Sequence, residues 1–188
     1  MGGAADRDRG ALAQDLPLPA GDGADREGRA VTRLLRLEPL TAEAFAPYGD
    51  VVDPPAPGDR LSLMESIGGR DGAAAPRLSF NHAPPHALPL LATEMERHNR
   101  SSQCFVPLDV ARWVVMVAPD AGGVPDAARL RAFLVRGDQA VNYRIGSWHH
   151  PLRVLDRPGR FAVLMWTTGV KSDDEEWSTL PAPVTLVA

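Results

Sequence analysis

The sequence contains a single cysteine, Cys104, among its 188 residues. One cysteine cannot form an internal disulfide, and the paired-cysteine spacing of structural zinc sites is absent as well. We expect a buried, inert thiol, because Cys104 stands beside Phe105 in a strand-like run. A chain with one cysteine also fits the reducing environment of the cytoplasm.

Long apolar runs and blocks of one charge sign are missing too. The longest apolar runs, residues 113–118 and 161–166, are far shorter than the ~20 apolar residues that span a bilayer. The 20 basic and 24 acidic residues are mixed along the chain and give a net charge of −4. A nucleic-acid partner would require a basic patch, which this pattern does not offer. We therefore expect a cytoplasmic protein that binds neither membranes nor nucleic acids.

The first 30 residues contain no aromatic and no β-branched side chain. Such a segment cannot bury enough apolar surface to offset the entropy lost on ordering. It also lacks the apolar core of a secretory signal, and its acidic residues argue against a mitochondrial presequence. The sequence thus predicts a disordered, dispensable tail over residues 1–30 and one domain over residues 31–188.

After residue 31 the chain consists largely of short strand-like runs separated by turn signals. Residues 41–45 are typical of a short helix with Thr41 as its N-cap, and residues 53–77 are typical of a loop. From residue 78 onward eight strand-like runs follow one another. This pattern, with 18 prolines and 17 glycines, favours a mainly β jelly-roll barrel with a few short helices over alternating βαβ units.

The first stretch that concentrates polar side chains capable of chemistry is residues 94–108. In an extended strand Glu94, Glu96 and His98 share one face. Two carboxylates and an imidazole are costly to bury unless a cation or hydrogen-bonding partners neutralise them. The row is a site if it lines a barrel interior and a charged surface strand if it faces water. Alternation alone favours the solvated interpretation.

The second stretch is residues 136–151, in which two turn pairs enclose a predicted strand over residues 140–144. His149 and His150 are neighbours, so only one of them can face a given pocket in extended geometry. Three of the five histidines, His98, His149 and His150, fall in these two stretches. Each histidine taken singly is best explained as a hydrogen-bonded structural residue.

Taken together, the two stretches resemble the metal motifs of cupin barrels. Glu96-x-His98 followed by Gln103 resembles the first motif, with Glu and Gln substituted. Arg144-x-Gly146-x-x-His149 resembles the second motif, with Arg in place of Pro. The resemblance implies a cupin-type barrel in which Glu96, His98, Gln103 and His149 bind one divalent metal ion. Mixed nitrogen and oxygen ligands suit Ni, Zn, Mn or Fe.

A more extensive resemblance links the chain to the ureidoglycolate lyase family. It runs from about residue 31 nearly to the end and is carried by blocks in the family's order: Pro39-Leu-Thr-Ala-Glu-Ala-Phe-Ala-Pro-Tyr-Gly-Asp50, Met95-Glu-Arg-His98, Gln103-Cys-Phe-Val-Pro107, Ala140-Val-Asn-Tyr143 and Trp148-His-His-Pro-Leu152. The chain departs from the family pattern at residues 53–77, 81–82 and 99–101. Residues 165–176 resemble only one branch of the family.

This resemblance implies a homodimeric carbon–nitrogen lyase of the amidine-lyase class, which splits ureidoglycolate into glyoxylate and urea in allantoin catabolism. The implied catalytic residues are Glu96, His98, His149 and His150, although His150 is equally explained as a structural residue. Arg144 is the implied partner of the substrate carboxylate. Asn142 and Tyr143 are candidates for the ureido group, with turn and core roles as the alternative.

Two other functions stay open from the sequence. One is a cupin that binds a small acid without turnover, as a sensor or structural module. The other is a lyase or isomerase that acts on a related 2-hydroxy or ureido acid. Bound metal beside a convergent acid and base would favour an enzyme over the sensor.

Overall fold

The computed structural model describes residues 32–62, 67–69, 72 and 74–188. The predicted tail over residues 1–30 lies outside the described residues. The domain that begins at Thr32 is built mainly of strands, so the predicted mainly β fold is confirmed. None of the described helices is long and apolar enough to cross a membrane.

Fourteen strands are found among the described residues. They are β1 (Arg33–Arg36), β2 (Glu38–Pro39), β3 (Gly49–Val52), β4 (Ala75–Ala83), β5 (Pro85–His86), β6 (Leu90–Arg97), β7 (Gln103–Asp109), β8 (Arg112–Ala118), β9 (Arg131–Arg136), β10 (Ala140–Tyr143), β11 (Trp148–His149), β12 (Arg153–Leu155), β13 (Gly159–Thr167) and β14 (Glu176–Val187). Two four-residue helices, α1 (Ala42–Phe45) and α2 (Lys171–Asp174), and a 3₁₀ turn over Ala127–Arg129 complete the set.

The strands form two sheets. The smaller sheet is antiparallel and has the order β3-β10-β7-β13-β4. The larger sheet has the order β1-β14-β6-β11-β8-β12-β5, with β9 beside β8 and β2 beside β9. Residues from both sheets meet in one apolar core, as the jelly-roll barrel of the cupin type requires.

Strand β8 is buried on both faces, which explains its continuous apolar sequence. Val115 and Val117 pack into the core between the sheets. Val114 and Met116 point to the opposite face and pack with Met95 in a second cluster, which strand β14 supplies with Leu180, Val184 and Leu186. The larger sheet therefore separates two apolar layers.

The predicted burial of Cys104 is confirmed, and this burial raises the pKa of the thiol to about 11.

Helix α1 begins as predicted, because the Thr41 side chain accepts a hydrogen bond from the Ala44 amide at 3.1 Å. The helix directs Phe45 into the core, where its ring centroid lies 5.8 Å from that of Tyr143. Strand β3 then approaches β10 so closely that a Cβ on Gly49 would lie 1.9 Å from the Asn142 carbonyl oxygen. Glycine is required there, and the close pairing holds Tyr143 in place.

Strand β14 was not predicted, because Pro181 and Pro183 interrupt its sequence. In the structure the pairing register between β14 and β6 shifts between Thr179 and Val184. The prolines lie inside this irregularity, where ladder hydrogen bonds are not needed from them. The loop predicted over residues 53–77 was too long as well, since β4 begins at Ala75.

Candidate active site

His98 and His149 lie side by side in the barrel, with ring centroids 5.4 Å apart. His149 is directly opposite Glu96 in the pairing of β11 with β6, so both side chains project from the same face of the larger sheet. A carboxylate oxygen of Glu96 lies 3.7 Å from Nε2 of His149. One potential ligand atom from each of the three residues lies within 4.8 Å of the others. Alternation alone favoured a solvated face for Glu94, Glu96 and His98. In the structure Glu96 and His98 belong to the buried cluster, and only Glu94 is exposed.

Gln103 completes the cluster from the opposite sheet. It is the first residue of β7, and its Oε1 lies 3.0 Å from Nε2 of His149. The structure thus brings together all four residues that the cupin motifs marked as metal ligands. Each of the two histidines is at least 95% buried, with 4% exposure for His98 and 1% for His149.

Backbone carbonyls determine the orientation of both imidazoles. Nδ1 of His98 lies 2.8 Å from the Asp174 carbonyl oxygen, and Nδ1 of His149 lies 2.9 Å from that of Ser147. A carbonyl only accepts, so we assign the proton of each neutral ring to Nδ1. The Nε2 lone pairs then face the cluster, and Nε2 of His98 has no hydrogen-bond partner among the described residues.

This tautomer leaves two acceptors, Nε2 of His149 and Oε1 of Gln103, only 3.0 Å apart. Such a contact is stable when the Gln103 amide rotates so that its nitrogen donates, or when both atoms share a cation. Both arrangements keep His149 neutral. The donor set of two imidazole nitrogens, a carboxylate and an amide oxygen fits a divalent cation.

Burial sets the charge state of the cluster. Desolvation first, and then the neighbouring His98, lower the pKa of His149 to about 3. Desolvation also lowers the pKa of His98. The pKa of Glu96 rises to about 7, first through burial and then through the Glu175 and Glu94 carboxylates. At neutral pH the cluster therefore combines neutral imidazoles with a carboxyl group that readily exchanges its proton.

Tyr143 positions His149 through ring stacking. The two rings are nearly parallel at 11°, with centroids 4.0 Å apart. The tyrosine ring also contacts Phe45 and Phe105 in the core, and burial raises the pKa of its hydroxyl. Asn142 precedes it in β10 and points to the opposite face of the sheet, where its amide donates to Asp50 at 3.1 Å. Of the two residues assigned to the ureido group, only Tyr143 adjoins the cluster.

Arg144 and His150 lie outside the cluster. Arg144 is exposed and lines a separate cavity of about 360 Å³ with Tyr48, Asp120 and Arg129. His150 is buried and donates from Nδ1 to the Pro151 carbonyl at 2.8 Å. As extended geometry requires, only one of the paired histidines faces the pocket.

Comparison with known proteins identifies the family of this chain. The family model described as ureidoglycolate lyase matches residues 32–186. The chain belongs to the ureidoglycolate lyase family. A ureidoglycolate lyase of Burkholderia cepacia is 42% identical over 143 residues, which cover 71% of this chain and 80% of the relative. A ureidoglycolate lyase of Rhodobacter capsulatus is 42% identical over 139 residues, which cover 69% of this chain and 84% of the relative.

A solved structure with a similar backbone is a dTDP sugar isomerase from Desulfovibrio desulfuricans G20. It is 16% identical, with a TM-score of 0.44, and the match covers 69% of this chain and 81% of the isomerase. The ureidoglycolate lyase family assignment does not depend on this likeness, because the family model spans almost the whole described domain.

One acidic residue of the site, Asp174, was missed by sequence reasoning, because residues 173–176 look like a solvated acidic run. Asp174 is buried, and its carboxylate accepts hydrogen bonds from the Thr168 hydroxyl and from the Thr168 and Gly169 amides. This fixes the backbone carbonyl that orients His98. The preceding Thr-Thr-Gly turn is the signal that could have indicated a buried aspartate.

His150 is expected to make the fold acid-sensitive. Burial first, and then the positive charge of Arg153, lower its pKa from 6.5 to about 4. Between about pH 6.5 and pH 4 the unfolded chain binds a proton at His150 that the folded chain does not bind. The free energy of unfolding therefore decreases as pH falls through that window. In urea titrations of chelator-treated protein, we compare the free energy of unfolding at pH 7.5 and at pH 5. The decrease should be about 2 kcal/mol smaller for His150→Asn than for the parent. Equal losses would contradict a neutral buried His150.

Proposed function

We propose that this chain is a ureidoglycolate lyase, a cytoplasmic carbon–nitrogen lyase of the amidine-lyase class. It would split ureidoglycolate into glyoxylate and urea in allantoin catabolism. The observation that carries the proposal is the convergence of Glu96, His98 and His149 in a chain of the ureidoglycolate lyase family. The curated relatives from Burkholderia cepacia and Rhodobacter capsulatus bear the name of this activity.

The chemistry of the substrate matches the groups in the cluster. Ureidoglycolate is a hemiaminal whose central carbon bears a hydroxyl, a carboxylate and a urea nitrogen. Elimination removes the hydroxyl proton, forms the aldehyde carbonyl, breaks the carbon–nitrogen bond and protonates the departing nitrogen. Nε2 of His98, which has no hydrogen-bond partner in the described part of the chain, is an unprotonated acceptor for the first proton. Glu96 has a pKa of about 7 and can supply the second.

We also propose that Glu96, His98, Gln103 and His149 bind one divalent ion, Ni, Zn, Mn or Fe. Three features support this: the ligand atoms converge, both imidazoles are neutral, and both Nδ1 protons are held by carbonyls, as in known metal sites. With a divalent ion bound, Nε2 of His98 and the carboxylate of Glu96 would act as ligands rather than as base and acid, and the cation would stabilise negative charge on the substrate oxygens. The amide of Gln103 is a weaker ligand than the usual carboxylate, so the affinity should be modest.

The direct test is an assay of purified protein with ureidoglycolate, after chelation and after addition of each metal separately. The expected result is release of glyoxylate and urea in equal amounts, restored after chelation by at least one of the four metals. Tight binding of ureidoglycolate without product would favour the non-catalytic module. Turnover of a related ureido or 2-hydroxy acid alone would identify a different lyase or isomerase.

We further propose a homodimer formed through β4. This nine-residue strand is the edge of the smaller sheet, and an unpaired edge readily pairs with a second copy. Leu78 and Phe80, 60% and 74% exposed, project from the same outer face as Val106. Two antiparallel β4 strands would join these apolar patches across a twofold axis.

Light scattering at micromolar concentration should report twice the chain mass of 20.2 kDa. Phe80→Asp should shift the protein toward the monomer, because it places a charge in the proposed contact. Leu34→Asp is the matched control, since Leu34 is 67% exposed but lies on β1 in the other sheet. A monomeric parent protein would refute the dimer.

A further inference from the structure

A row of directly opposed residues crosses the smaller sheet and leads away from the histidine cluster. Tyr143 pairs with Gln103, Gln103 with Met165, and Met165 with Arg77. Opposed residues of neighbouring antiparallel strands project from the same face. Tyr143 stacks on His149 inside the barrel. Arg77, on the edge strand β4, therefore projects from the same inner face as the cluster residues.

Arg77 opens into a cavity that shares its wall with the cluster. The cavity has a volume of about 230 Å³. Met165, one of its lining residues, lies 3.7 Å from the Gln103 amide nitrogen. Asp174, another, supplies the carbonyl that holds His98. The hydroxyl side chains of Ser79 and Thr167 also line this space. A small polar molecule bound here would lie next to the proposed reactive groups.

The cavity is lined by two cations, Arg77 and Lys171, and by the carboxylates of Asp174 and Glu175. The Asp174 carboxylate is hydrogen-bonded within its own turn, and Arg77 remains as a cation that can receive an anion. Arg77 is exposed and has no ion-pair partner among the described residues. Lys171 supplies a second cation from α2. It is held only loosely, with Nζ 3.6 Å from Glu175 and a side chain that is 78% exposed. A guanidinium offers two parallel N–H donors that match the two oxygens of a carboxylate.

We propose that Arg77 is the residue that binds the substrate's carboxylate, with Lys171 adding positive charge to the same subsite. This inference rests on the proposed function and replaces Arg144, which lines a different cavity. Held by Arg77, a 2-hydroxy acid presents its hydroxyl-bearing carbon toward Glu96 and His98. The subsite thus selects ureido and hydroxy acids that carry a carboxylate over their neutral amides.

The kinetic test compares Arg77→Leu with Arg77→Lys. Loss of a charge-assisted contact should raise KM for ureidoglycolate by about 10- to 100-fold in Arg77→Leu, with a smaller change in kcat. Lysine keeps the charge but loses the bidentate geometry, so Arg77→Lys should recover only part of the affinity. Arg160→Leu is the matched control, because Arg160 is exposed on β13 and paired with Asp109. A parent-like KM in Arg77→Leu, or a rise confined to Arg144→Leu, would overturn the assignment.

Calorimetric titration with sodium glyoxylate separates this inference from the proposed function. Glyoxylate carries the carboxylate but does not require turnover. The parent protein should bind it, and Arg77→Leu should bind it about 10-fold or more weakly. If that difference is found in a protein that releases no glyoxylate from ureidoglycolate, the lyase function fails and the carboxylate subsite stands. Equal binding by the parent and Arg77→Leu would refute the subsite whatever the activity.

Discussion

His98→Ala and His149→Ala are each expected to lower turnover of ureidoglycolate by about 10²- to 10⁴-fold, the usual contribution of a positioned acid–base group. His98→Ala would remove the Nε2 atom that accepts a proton in the proposed reaction. His149 would lose the imidazole that links Glu96 with Gln103. Far-UV circular dichroism should stay nearly unchanged, because the barrel core is built of other residues. The measurements are kcat, KM and the dichroism spectrum of each variant.

The matched control for both variants is His82→Ala. His82 is exposed on β4 and belongs to neither apolar cluster nor the site. Its removal should leave kcat within about twofold of the parent, as expected for surface changes. Unfolding of both site variants would instead support purely structural histidines. Full activity in either variant would show that its imidazole is not required for catalysis.

Glu96→Gln is expected to have the second largest effect, a fall in kcat/KM of about 100-fold or more. The amide has almost the same shape as the carboxyl but neither donates a proton in the way an acid does nor carries negative charge. Metal content, measured by mass spectrometry after loading and gel filtration, should fall in parallel, because the amide is the weaker ligand. The barrel should unfold at nearly the same urea concentration as the parent.

Glu94→Gln is the matched control for Glu96→Gln, because it removes the same charge from a position outside the cluster. Glu94 lies two residues earlier on the same strand but is exposed. Its substitution removes one of the carboxylates that raise the pKa of Glu96. We expect a change in kcat/KM of less than about threefold, in keeping with the small worth of an exposed charge. Equal losses in the two variants would contradict the assignment of Glu96 as the reacting carboxyl.

Some features of the molecule are determined by local sequence. The short apolar runs and turn residues predict strands, and the Thr41 cap predicts α1, because these depend on neighbouring residues alone. The two polar stretches also indicate which residues to examine. Local patterns failed at β14, where two prolines conceal a strand that a bulge accommodates. They failed at Asp174 too, since burial of a charge depends on distant partners.

The tertiary structure decided which polar residues form the site. Nothing local distinguishes His149 from His150, yet the pairing of β11 with β6 turns the first toward Glu96 and leaves the second outside. Likewise Arg77 and Arg144 are both exposed arginines, and only the cross-strand row from Gln103 through Met165 places Arg77 beside the cluster. The sequence by itself indicated many of the strands and the two polar stretches that supply the cluster. Strand register and sheet packing decided which groups meet, because those contacts join residues far apart in the chain.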